Sequence, residues 1–191
     1  MSRERWATFD CYGTLIDWNG GIRGELARVF GEERADAELA RYHELEPTLQ
    51  AGGGRSYREV MTVAMAALGA PSGEEGGLAA ALPDWGPFPE VRASLEETRS
   101  RGWKLALLSN TDRDLIEASI ARIGVPFELA IVASEIDSYK PRHYHDIVPA
   151  NELGLQSIWI NRYAEHHEPP ATRELADLSA LSVTLDELVA P

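Results

Sequence analysis

The chain reads as an α/β protein with a mostly parallel sheet and an all-helical segment inserted after its first strand. Three observations predict this. Strand-like and helix-like segments alternate from Pro89 onward, helices alone fill the stretch before it, and a carboxylate, Asp10, directly follows the first strand. Such alternation argues for βα units. At 191 residues, 44% hydrophobic and 26% charged, the chain is long enough for one good core and a smaller appended unit.

Taken in order, Arg5-Trp6-Ala7-Thr8 predicts a short strand that ends at Phe9-Asp10 and turns at Gly13-Thr14. Helices follow over Glu32 to Glu46 and Tyr57 to Leu68, the second opened by a Ser56/Glu59 capping box, with Gly52-Gly53-Gly54 between them. Asn19-Gly20-Gly21 and Pro83-Asp84-Trp85-Gly86-Pro87 read as the two hinges of this insertion. Pro89 suits the first position of a helix running to Arg101 and stopped by Gly102. Trp103 to Leu108 is a buried strand ending at Ser109-Asn110, and Thr111 with Asp114 predicts a capped helix closed by Gly124. Strands are expected over Phe127 to Ala133 and Ser157 to Ile160, a helix over roughly Asp146 to Gly154, and a terminal helix starting at Thr184.

Composition narrows the partners. A formal net charge of -13 repels phosphate backbones and anionic membranes, so neither nucleic acid nor a membrane is expected. The uncharged run from Val60 to Ser72 is too short for a bilayer, which takes roughly 20 helical residues. No signal-peptide pattern opens the chain, and a single Cys11 cannot form an intrachain disulfide; both point to a cytoplasmic protein.

The chemistry-bearing residues fall at strand ends. Asp10 is the candidate nucleophile, Thr14 could orient it, Ser109 and Asn110 close the second strand, and Lys140 and Asp146 follow the third. The carboxyl edge of an open α/β sheet is where ligands bind. Asp146 is open to two readings, a catalytic carboxylate or the N-cap of the following helix. His143 with His145 and His166 with His167 lack third and fourth ligands at convincing spacing, so no metal is expected.

Strand-Asp, strand-Ser and a downstream Lys in this order resemble the first three motifs of the haloacid dehalogenase superfamily, and the resemblance extends to Ile158-Trp159-Ile160-Asn161-Arg162. It implies a Rossmann-like core of residues 1–17 and 88–191, a helical cap of residues 18–87, a possible homodimer and no cofactor. Phosphatases of the superfamily usually carry a second Asp two residues after the nucleophile. Tyr12 stands there instead, which resembles the 2-haloacid dehalogenase branch and implies a small anionic substrate. Arg41, in Leu39-Ala40-Arg41 followed by Leu45-Glu46, resembles the cap segment whose Arg reaches into the site. In this reading Tyr12, Arg41, Ser109 and Asn110 bind substrate, and Asp10, Thr14, Lys140 and Asp146 carry the chemistry.

One stretch departs from the superfamily. Only residues 141–156 separate Lys140 from Ser157, room for a single helix, where relatives usually carry a further helix and strand of about thirty residues. The core is therefore expected to be shortened by about one βα unit, leaving some four parallel strands and an edge or gap beside the first. A magnesium-dependent phosphatase and an inactive binding scaffold are the alternatives that this leaves open.

Overall fold

The computed structural model describes residues 4–51, 54–136, 139, 146–166 and 170–189. In chain order, β1 (Arg5–Phe9) is followed by α1 (Trp18–Phe30), α2 (Glu32–Ala51), α3 (Tyr57–Leu68) and the short α4 (Gly77–Ala81). Then come α5 (Val91–Ser100), β2 (Trp103–Ser109), α6 (Arg113–Ile123), β3 (Leu129–Val132), α7 (Ala133–Ile136) and α8 (Ile147–Glu152). The chain closes with β4 (Ile158–Ile160), β5 (Arg173–Leu175) and α9 (Leu181–Leu188).

The main sheet runs β1-β2-β3 and is parallel throughout. Central β2 is buried along nearly its whole length, which is why Trp103 to Leu108 is almost continuously apolar. On edge strand β1 the pattern alternates, with Ala7 and Phe9 inside. The register sets Phe9 beside Leu107 and Ser109 beside Val132, so Asp10 and Ser109 emerge at one edge of the sheet.

Some four parallel strands were expected, with an edge or gap beside the first; among the described residues three pair in this sheet and β1 lies at its edge. Among the described residues β1 pairs only with β2, while Ile158–Ile160 forms a separate parallel pair with Arg173–Leu175. The shortness of the chain accounts for this: α8 lies between Asp146 and Ser157, and among the described residues no strand bridges from β1 to β4. A cavity of about 510 Å³ lies in between, lined by Thr8 and Asp10 on one side, Ser157, Ile158 and Ile160 on the other, and Leu181 and Leu185 of α9 beneath.

The helices between β1 and α5 pack on one another and share a continuous apolar core with the sheet, from Leu105 and Leu107 through Leu15 and Ile16 to Met61, Met65 and Leu26. Where the chain leaves and re-enters the sheet region its two passes lie side by side. The Asp17 N–H donates to the Gly86 carbonyl and the Phe88 N–H to that of Leu15, both at 3.0 Å. Asn19-Gly20-Gly21 is not a hinge loop but the start of α1, capped by the Asp17 carboxylate, which accepts from Gly20 N–H. Gly21 is required by packing: a Cβ there would lie 2.4 Å from the Trp85 ring.

Other boundaries shift for local reasons. The capping box of Ser56 and Glu59 forms as read from the sequence. Thr111 does not cap the next helix; Asp112 holds the N-cap position, and its side chain bonds elsewhere. The terminal helix begins at Leu181 rather than Thr184, because Asp177 caps a 3₁₀ turn at Leu178–Ala180 that leads into it.

Candidate active site

Asp10 follows β1 on a turn whose shape is fixed by main-chain bonds. The Cys11 carbonyl accepts from Leu15 N–H at 2.7 Å and Ile16 N–H at 3.0 Å. Gly13 takes φ +85°, which a side chain would resist. Thr14 Oγ1 donates to Asp10 Oδ2 at 3.4 Å, a long bond that steers more than it binds. Tyr12 stacks on Tyr57 of α3 with ring centroids 6.2 Å apart, and its hydroxyl lies 3.0 Å from Ser119 Oγ of α6. Burial pushes the Tyr12 phenol well above its ordinary pKa, so it keeps its proton.

Beside this turn Ser109 and Thr111 are buried; Ser109 Oγ has no hydrogen-bond partner among the described residues, while Thr111 also acts on the Tyr12 phenol. A buried hydroxyl without a partner is uncommon and points to a polar ligand. Both residues precede α6, whose opening N–H groups receive no bond from the Asp112 side chain. That carboxylate instead accepts from Tyr57 N–H and Arg58 N–H at 3.0 Å each, tying the start of α3 to the sheet edge.

From α2 a second carboxyl reaches the site. Glu46 Oε1 accepts from Gln50 Nε2 at 2.5 Å, and Gln50 Oε1 accepts from Asn110 Nδ2 at 3.2 Å, a relay from helix to sheet edge. Burial pushes Glu46 up to about 7; the Asp10 carboxylate adds to the rise, and a contact from the Tyr57 hydroxyl opposes it. Because this folded-state value exceeds the ordinary one near 4.5, the native protein binds the extra proton between those values. The stability Glu46 contributes is thus full below about 4.5 and is lost as pH rises through about 7. Glu46→Gln is expected to raise stability at pH 8 by at most about 3 kcal/mol before solvent screening, and with it the thermal midpoint, and to leave both unchanged at pH 4. Calorimetry at both values checks this.

Of the residues singled out in the sequence, Asp10, Tyr12, Thr14, Ser109 and Asn110 gather at this edge. Asp146 is the residue before α8 and lines the same cavity as Asp10 and Thr14, without a side-chain bond to its own helix. Lys140, His143, His145 and His167 lie outside the described residues. Arg41 is not brought to the site: its side chain is half exposed and pairs with Glu38 at 2.7 Å. Five residues from Glu46 is about 140° around a helix, so the two cannot share a face.

Glu46, Gln50 and Asp112 were not anticipated. The helix expected over Glu32 to Glu46 instead continues through Pro47 to Ala51. The signal for Glu46 was its place among Leu39, Tyr42, Leu45 and Leu49, an apolar face on which a lone carboxylate is out of pattern.

The sequence model of the haloacid dehalogenase-like hydrolase family matches residues 5–149 and so ends within α8. Haloacetate dehalogenase H-2 of Moraxella sp. (strain B) is 32% identical over 102 residues, a match covering 40% of this chain and 46% of that protein. (S)-2-haloacid dehalogenase 4A of Burkholderia cepacia is 24% identical, with 93% of each chain covered. Among solved structures, the L-2-haloacid dehalogenase of Xanthobacter autotrophicus with chloropropionic acid covalently bound superimposes with a TM-score of 0.80. That match covers 98% of this chain and all of that one at 17% identity, a likeness of fold.

Proposed function

Since the chain belongs to the haloacid dehalogenase-like hydrolase family, we propose that it displaces halide from small 2-halo carboxylates through an ester on Asp10. One observation carries this reading: the carboxylate after β1 emerges at the same sheet edge as the buried Ser109 hydroxyl, which has no partner among the described residues, with a phenol where a phosphoryl-transfer site would want a second acid. Halide leaves without needing a proton, so a neutral Tyr12 is no handicap. The relatives named as haloacetate and (S)-2-haloacid dehalogenases support the same chemistry.

In this scheme Asp10 attacks the halogen-bearing carbon in line, halide departs, and water then hydrolyses the ester. Ser109, Asn110, Thr111 and the N–H groups opening α6 receive the substrate carboxylate, for which a helix N-terminus is suited. Thr14 orients Asp10. We assign Lys140 to hold Asp10 ionised by opposite charge, and Asp146 to position Lys140 or the hydrolytic water. Residues 18–87 serve as a cap on the core of residues 1–17 and 88–191, supported by the Asp112 link to α3 and by the paired chain crossings at Asp17 and Phe88. No helix among the described residues is long and apolar enough to cross a membrane. The lone buried Cys11 supports a reducing, cytoplasmic setting.

A single turnover of 2-chloropropanoate with excess enzyme in ¹⁸O-water tests the route. Label is expected in the Asp10 carboxylate, read by mass spectrometry of its peptide. Label confined to the product hydroxyl overturns the ester.

A further inference from the structure

Resting on the ester route above, we propose that Glu46 is the general base that activates the water hydrolysing the Asp10 ester. A base for the second step must stand near the nucleophile and be held in place. Glu46 satisfies both conditions. It projects from α2 toward the site and is fixed by Gln50, which is itself anchored to Asn110 at the sheet edge. The charge of Asp10 acts on it directly, which places the two carboxyls in one electrostatic neighbourhood.

The stretch before Ser157 is too short for the extra helix and strand, and the main sheet is correspondingly limited to three strands among the described residues. A base delivered from α2 is independent of that stretch. Its proton affinity near neutrality is suited to taking a proton and returning it.

The step balances as follows. Water oxygen bonds to Cγ of the Asp10 ester as one water proton passes to Glu46. The bond from Cγ to the substrate-borne oxygen breaks, and the departing alkoxide takes that proton back from Glu46. The regenerated Asp10 carboxyl releases its remaining proton to solvent, leaving the 2-hydroxy acid. The groups facing Glu46 are Asp10, Tyr42 on its own helix, Tyr57 on α3 and Tyr139 after α7. Burial drives all three phenols upward, away from neutrality.

The test is Glu46→Gln, whose amide keeps an acceptor for Gln50 and whose fold is checked by its thermal midpoint. With 2-chloropropanoate, the variant is expected to release one equivalent of chloride per site in a burst and then stall. Steady-state kcat should fall about 10²- to 10⁴-fold. Intact mass should show the substrate-derived 1-carboxyethyl unit esterified to Asp10. Wild-type kcat should rise with pH through about 7, and the variant should lose that limb. Wild-type turnover and pH profile in Glu46→Gln overturn the proposal, as does loss of the burst itself while the wild type still forms the ester. Absence of ester in both proteins removes the Asp10 route, and the role of Glu46 with it.

Discussion

Replacing Asp10 with alanine is expected to lower kcat for halide release by at least about 10⁴-fold, the scale seen when a covalent nucleophile is removed. The loss should appear in the first step, so no burst and no mass adduct form, unlike the stalled ester expected of Glu46→Gln. The fold should survive, since Asp10 is only partly buried and the turn beyond it is closed by Cys11, Leu15 and Ile16 main-chain bonds. Its removal also lifts the negative field on Glu46, whose titration should move down from about 7. Chloride release by ion-selective electrode, read beside the thermal midpoint, separates lost chemistry from lost structure. Turnover by Asp10→Ala within tenfold of wild type would refute the nucleophile.

Arg162→Ala is expected to be the most destabilising single change outside the apolar core. The guanidinium is nearly buried, donates to Glu90 and to the Thr14 carbonyl at 2.7 Å each, and lies 3.6 Å over the Phe88 ring. It joins the turn after the nucleophile, the start of α5 and the segment after β4. Removing it takes the charged partner from Glu90 and leaves it the long Leu178 N–H bond, a loss of up to about 3–5 kcal/mol as for a buried pair, or a fall in thermal midpoint of roughly 10 °C in a chain of this size. Arg162→Lys should recover only part, because an ammonium cannot bridge two acceptors and stack at once. Scanning calorimetry decides this; an unchanged midpoint in Arg162→Ala would show the contacts to be incidental.

Local signals in the sequence carried much of the fold. The box of Ser56 and Glu59, the stop at Gly124 and the unbroken apolar run of β2 are each decided within a few residues, and each forms as read. Strand pairing is different. Ile158–Ile160 has the composition of a strand anywhere, and its partner depends on how far the preceding chain can reach. The same division holds at the site. Asp10, Ser109 and Asn110 were legible because strand ends converge by topology. Glu46 and Asp112 act across elements, and only packing of α2 and α3 on the sheet edge gives them partners. Arg41, read from its spacing as reaching toward the site, instead pairs with Glu38 on its own helix, a contact that only the folded side chains reveal.

The one-sided support of β1 bears on how its tip is aimed. A strand laced to neighbours on both flanks is stiff against sideways load, whereas among the described residues this one is laced to β2 alone. The task of keeping the carboxylate on line therefore passes from the sheet to the bend beyond it, where Cys11 clamps two amides and Arg162 grips the Thr14 carbonyl. Marksmanship here is a property of a few residues in a turn.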